Sequence, residues 1–546
     1  MGGALITYSR SSSRRGPPAV DVSGLAWHTV SMQVLVFPAL LSAALAADDF
    51  EGLRFYVGDI HQHTGASGDG GSVDIGTCVR LSDGTAGECG PYLDLGVDNR
   101  ASGLDFFATV DHVTSVVASP VAGNWETVFH FVNELDDPAG GLVTLPGAEI
   151  FVELPDGTDI GHRSLLFFGE VAMLSGLVQV DTQPSGSREN EVAECEVLAS
   201  FMDNLVSRFG PALLLPHHPG VQKPMATNWT CFQEAYEPLV EVYSEHGSSL
   251  DARSSFDIPW SGYADEGTVR NAIDPAAYGL RMGFAGGSDN HDTHGGNACR
   301  TDTVTDNHPY GGGRTLIWQP QGEEFNRASV YAAFMAHQTY ASTGPAIPLI
   351  VEVQRSDGAV VATMGESAEL ADDQDIVVEA RVPLAWAQAV VDATAIGPVG
   401  AWRMVEVSDG IWRGAIPAAE LPENVFVDLQ VDGAVAFPDG CADGGIDNYD
   451  HIWSSPTFFD PAGPVDTGGD TAGPADTADT ADTGDTAPVK DTADSALDEP
   501  EFGEPEDGEP PDDVPTHRFG CASRQGAAVG PAALLAGLAL SRRRRP

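Results

Sequence analysis

Histidines and carboxylates in this chain fall in short clusters that share one position, the downstream end of an apolar run. Phe55-Tyr56-Val57-Gly58-Asp59-Ile60 leads into His61-Gln62-His63. Residues i and i+2 of an extended chain point the same way, so both imidazoles face one side. Phe106 to Val110 leads into Asp111-His112, Leu142 to Ala148 into Glu149, Leu213 to Pro216 into His217-His218, and Met282 to Ser288 into Asp289-Asn290-His291. A lone strand-end aspartate is usually a turn or cap. Five repeats of metal-ligand residue types at the same place point instead to one shared metal site. Imidazole and carboxylate donors suit Zn, Mn or Fe, whereas calcium and magnesium take oxygen cages. Neighbouring divalent ions acidify a shared water and clamp the attacked centre, which is the chemistry of metal-dependent hydrolysis. The sequence holds no Gly-x-Ser-x-Gly elbow and no Cys-x-x-Cys pair to suggest another centre.

The elements that must position these residues alternate. Apolar runs at 55–60, 105–110, 142–150, 164–168, 212–215, 239–243 and 281–285 read as strands, with helical stretches at 124–135, 191–209 and 268–278. Strand, helix and strand in repetition predict an α/β domain with a mainly parallel sheet, open or closed as a barrel. In a parallel barrel the strands' C-terminal ends share one rim, where such folds place their active sites. Beyond Gly344-Pro345, segments 349–354, 376–382, 402–407 and 425–431 alternate in period two between Asp-Gly turns, which predicts a small β-sandwich.

The motifs His61-Gln62-His63-Thr64, Thr109-Val110-Asp111-His112, Gly147-Ala148-Glu149, Pro216-His217-His218-Pro219 and Gly287-Ser288-Asp289-Asn290-His291 resemble, in order and spacing, those of the PHP (polymerase and histidinol phosphatase) superfamily over residues 52–345. Val240-Glu241-Val242-Tyr243-Ser244-Glu245-His246-Gly247 and Thr339-Tyr340-Ala341-Ser342-Thr343-Gly344 resemble further signatures of its exported, carbaryl-hydrolase-type branch. The resemblance implies a distorted (βα)7 TIM-like barrel (the PHP fold) holding two or three divalent metals. Carried over, His61 and His63 with Asp289 hold one metal. Glu149 bridges it to a second, also bound by His162 and by His217 or its neighbour His218. Asp69, His112 and His291 hold a third. Asp111 is expected to orient a ligating histidine, Arg163 and Arg253 are candidates for pairing with an anionic substrate, and His246, Glu241 and His294 for outer-sphere or substrate roles.

Both ends of the chain read as export signals. Val34 to Leu45 is an apolar run closing on Ala44-Leu45-Ala46 before Asp48-Asp49, so residues 1–47 read as a signal-peptide region, with Met32 an alternative start. The barrel is expected over 48–345 and the β-sandwich over 346–460. Residues 461–519 repeat Asp-Thr-Ala and then turn to Glu, Asp, Pro and Gly, the composition of a disordered acidic linker. Residues 520–546 join Cys521, an apolar stretch and Arg542 to Arg545, resembling the sorting tails of myxobacterial surface proteins. Setting Cys521 aside leaves six cysteines, enough for three disulfides, with Cys78–Cys89 the most plausible local pair.

The 546 residues carry a net charge of -53, and 42% are hydrophobic, enough for a large core. Only 17 acids and one lysine fall between Pro461 and Pro515, so the ordered part is acidic too. Such a surface repels phosphate backbones and excludes nucleic acid as a partner, a remote exonuclease role included. Membrane contact is expected only through the C-terminal anchor. Two readings remain. The chain is an exported or surface-tethered hydrolase using a metal-activated water on a small-molecule phosphoester or a related ester, carbamate or amide. Alternatively, it is a surface binding or adhesion protein whose metal site is structural.

Overall fold

Strand β1 (Leu53–Gln62) sets the plan of the molecule. Phe55 and Val57 pack into one apolar core and Tyr56 and Ile60 into another, so the strand is buried on both faces and reads as a continuous apolar run. Gly58 has no side chain because a β-carbon there would lie 2.2 Å from the Phe106 ring of the next strand. The computed structural model describes residues 50–64, 90–112, 125–153, 159–169, 191–222, 226–252, 254–258, 262–290, 310–371, 374–433 and 449–461. The signal region, Asp69, the Cys78–Cys89 pair, Arg253, His291, His294, linker residues 462–519 and the C-terminal anchor lie outside them.

The expected strands form, but not the expected barrel. Strands β2 (Phe106–Thr109) and β3 (Val143–Glu153) run parallel to β1, joined through helices Gly90–Ala101 and Trp125–Leu135. β4 (Asp159–Phe167) is then antiparallel to β3, and β5 (Ala212–Pro216) antiparallel to β4. β6 (Leu239–Ser244), β7 (Gly247–Ser248) and β8 (Gly283–Gly286) form a separate three-stranded sheet in which β6 and β8 are parallel. β9 (Arg314–Pro320) and β10 (Thr339–Ser342) continue the large sheet antiparallel on the other side of β1. Of the described residues, 43% are in strands and 20% in helices, in large mixed and antiparallel sheets, so the distorted (βα)7 TIM-like barrel is overturned. The physical cause is clearest at β3 and β4. Both strands overrun their apolar runs, leaving only 154–158 between them. A parallel crossover needs about a dozen residues or more, so the chain folds back as a hairpin.

The later strands fall into two sheets. β11 (Ile350–Arg355), β12 (Val360–Thr363), β13 (Ser367–Leu370), β14 (Ile376–Arg381), β15 (Val390–Ile396), β16 (Ala401–Arg403), β17 (Val405–Ser408) and β18 (Ile411–Ile416) are followed by β19 (Asn424–Val431), β20 (Asp450–Ser454) and β21 (Thr457–Pro461). Five of them make a sheet of their own in the order β12-β11-β14-β18-β17. β20 instead pairs with β10, Ala341 opposite Trp453, and through it β19, β21 and β13 extend the sheet that contains β1.

A disulfide joins Cys195, on helix Glu191–Phe209, to Cys231. Among the described residues no helix is long and apolar enough to cross a membrane.

Candidate metal centre

Backbone hydrogen bonds fix the loops that carry the cluster. Asp59, fully buried, accepts from the backbone N–H groups of His61 and Ser288 at 3.1 and 2.9 Å, and from Gln62 Nε2 at 3.1 Å. The Asp289 N–H donates to the His61 carbonyl at 2.7 Å and the His63 N–H to that of Asn290 at 3.1 Å. The ends of β1 and β8 are thereby stitched together. Asp111 ties in the end of β2 by accepting from the backbone N–H and hydroxyl of Thr64 at 2.6 and 2.8 Å.

Glu149, on β3, stands at the centre. Its Oε2 faces His112 Nδ1 at 3.1 Å, His63 Nε2 at 3.3 Å and His61 Nε2 at 3.9 Å. Its Oε1 faces His162 Nδ1 at 3.1 Å and His217 Nε2 at 3.3 Å. Asp289 divides in the same way, with Oδ1 at 3.2 Å from Nε2 of both His61 and His63 and Oδ2 at 3.1 Å from His246 Nε2. Ligands bonded to one ion at about 2.0–2.1 Å stand roughly 2.9–3.4 Å from their neighbours, the spacing of every pair here except His61 with Glu149.

Two ligand positions need unusual backbone. Consecutive strand residues point to opposite sides, yet the rings of His217 and His218 lie together, centroids 4.3 Å apart. His218 achieves this with φ of 31°, and Asp289 has φ of 53°. Non-glycine residues rarely take left-handed conformations, and those that do concentrate at functional sites.

Electrostatics favour a cation. Burial, and then the neighbouring His61, push the His217 pKa down to about 3, so at neutral pH the ring is an uncharged ligand. His218 is lowered for the same first reason, with His217 and His162 adding to it. Burial works against ionised Glu149, but charge and hydrogen bonds from the imidazoles that face it together outweigh that penalty and hold the carboxyl well below the usual range. Asp289 is held low by His61 and His246 against the same penalty. For His61 burial opposes the charged form, and Asp289 and Glu241 overcome it, raising the pKa well above the usual value. Among the described residues, Glu149 Oε2, both ring nitrogens of His217 and His218 Nδ1 are buried without a hydrogen-bond partner. Buried carboxylates and lone pairs aimed at one another are costly unless a cation lies between them. The donor set fits a metal: Glu149, His162, His217 and His218 form one group whose ligand atoms lie within 4.8 Å of one another, His61, His217, Glu241 and Asp289 a second, and His61, His63 and Glu149 a third.

No family model, curated protein or solved structure matches this chain. The site rests on its own geometry.

That geometry unites His61, His63, His112, Glu149, His162, His217, His218, Asp289 and His246. Asp69 and His291, the other expected ligands, lie outside the described residues. Of the two adjacent candidates, both His217 and His218 join the group with Glu149. Arg163 is fully buried and ion-paired through Nε to Glu237 at 2.9 Å. Two contributors were not assigned as ligands or catalytic groups. Asp59 reads as an ordinary residue of an apolar strand, although a carboxylate inside such a run is itself a signal. Glu241, on β6, lies 2.8 Å from Nδ1 of His61.

Proposed function

We propose that this chain is a metal-dependent hydrolase that cleaves a phosphoester, or a related ester, carbamate or amide, in a small molecule. The observation that carries the reading is the division of Glu149, whose two oxygens face separate sets of buried histidines. A bridging carboxylate of this kind suits two or more ions of Zn, Mn or Fe. When bound, such ions supply Lewis acidity and a nucleophilic water at neutral pH. The chain's own contribution is positional. His61, His63 and Asp289 are held by the stitched ends of β1 and β8, and the Glu241 carboxylate keeps His61 Nε2 turned toward the cluster. His246 lies 3.1 Å from Asp289 Oδ2, the oxygen turned away from His61 and His63. We assign it to the side on which a substrate enters.

The motif resemblance to the PHP superfamily supports the same chemistry. The Cys195–Cys231 disulfide supports export to an oxidising compartment. The test is turnover of p-nitrophenyl phosphate and a panel of carboxylic esters and carbamates by the purified full chain after metal reconstitution. Hydrolysis that His61→Ala and Asp289→Ala both abolish is expected. Stoichiometric metal with no turnover across the panel would favour the surface binding protein.

A further inference from the structure

Glu241 is buried on β6, and each of its oxygens serves a different part of the cluster. Oε2 accepts from Nδ1 of His61 at 2.8 Å. Oε1 accepts from the backbone N–H of His218 at 3.4 Å. His61 groups with His63 and Glu149, His218 with Glu149, His162 and His217, and Glu241 itself lies in a third group with His61, His217 and Asp289 that overlaps both. One carboxylate outside the Glu149 bridge therefore touches both halves. The surroundings are cut to fit it: a β-carbon at Gly287 would lie 2.6 Å from Glu241 Oε2 and 2.5 Å from the β-carbon of His61. The backbone that Oε1 holds is the left-handed turn at His218, which sets that ring beside His217.

We propose that Glu241 is a positioning residue that couples the two halves of the centre, so that divalent ions load cooperatively. Its bond to His61 fixes the tautomer with Nδ1 protonated and frees Nε2 to face His63 and Asp289. Its bond to the His218 N–H sets the second half in register with the first. An ion that orders either half therefore prepares the other. This inference rests on the metal reading above, and its test needs no turnover.

The experiment is titration of the metal-depleted full chain with Zn(II) against a competing chelator, for wild type, Glu241→Gln and Glu241→Ala. A glutamine of the same shape offers one acceptor oxygen and one NH2 group, so it can satisfy His61 or His218 but not both. Wild type is expected to fill in one steep step. Glu241→Gln should bind about tenfold more weakly and in separated steps, and Glu241→Ala weaker still, up to about a hundredfold. Nitrogen-15 NMR of the Zn(II)-loaded chains should show the His61 Nδ1–H hydrogen-bonded in wild type and its signal shifted in Glu241→Ala. Melting of the metal-free proteins checks their folding, and the isosteric glutamine variant carries the test if the alanine variant does not fold. Wild-type affinity and steepness in folded variants would overturn the coupling. So would loss confined to one ion while the other binds as in wild type. A wild-type chain that binds no Zn(II) would overturn both this inference and the metal reading.

Discussion

Glu149 Oε1 stands 3.3 Å from Nε2 of His217, and the other oxygen of the same carboxylate turns to a separate set of histidines led by His112 and His63. Glu149 is thus the junction of the cluster. Glu149→Gln leaves the shape of the side chain but removes its charge. The expected result is loss of at least one bound metal per chain and a fall in hydrolytic rate of about 100-fold or more, since even outer-sphere partners cost about 10–100-fold. Metal analysis by mass spectrometry together with turnover checks it.

Gly287 passes so close to His61 and Glu241 that a methyl group has no room. Gly287→Ala should destabilise the chain by about 1–3 kcal/mol, the usual cost of overpacking, and should weaken metal binding in parallel. Urea unfolding read by circular dichroism measures the first, and chelator competition the second.

Arg163 and Glu237 form a fully buried ion pair. Removing one partner strands the other charge, so Arg163→Ala should cost about 3–5 kcal/mol. An arginine that instead served mainly to bind an anionic substrate would raise KM and leave the thermal melting temperature unchanged.

The metal-free chain should lose stability in mild acid. The His217 pKa is about 3 in the folded state, below its unfolded value of about 6.5, so the unfolded chain takes up a proton that the native chain refuses. The stabilising contribution is intact above pH 6.5 and lost as pH falls toward 3, and His218 acts in the same sense. Glu149 and Asp289, also depressed, add to the loss once pH falls through the ordinary carboxylate range. His61 is raised, so its contribution is complete below pH 6.5 and disappears only at higher pH. Thermal melts between pH 7.5 and 5 should show a falling midpoint; a flat profile would contradict the assignment.

Much of the site was legible because ligand type and strand end coincide. His61, His112, Glu149, His217 and Asp289 each belong to an apolar run, and a run fixes where its end falls whatever the order of the strands. The fold was less legible for the same reason. Periodicity marks a strand but carries no direction, and a helix between two strands does not guarantee a parallel pair: Glu191–Phe209 connects β4 and β5, which are antiparallel. β9 carries no candidate ligand at its end, so its run of buried residues, Thr315, Leu316, Ile317 and Trp318, gives no signal for the site. The inward turn of His218 was not readable at all, since alternation along a strand sends it away from His217 and only its positive φ reverses that.

The central claim is tested most directly by the metal content of the full chain purified without added chelator, combined with anomalous diffraction at the absorption edge of the metal found. The account predicts at least two Zn, Mn or Fe ions per chain, with anomalous peaks on both sides of Glu149, one toward His63 and one toward His217. A chain without stoichiometric metal after reconstitution, or with metal bound only away from Glu149, would contradict it.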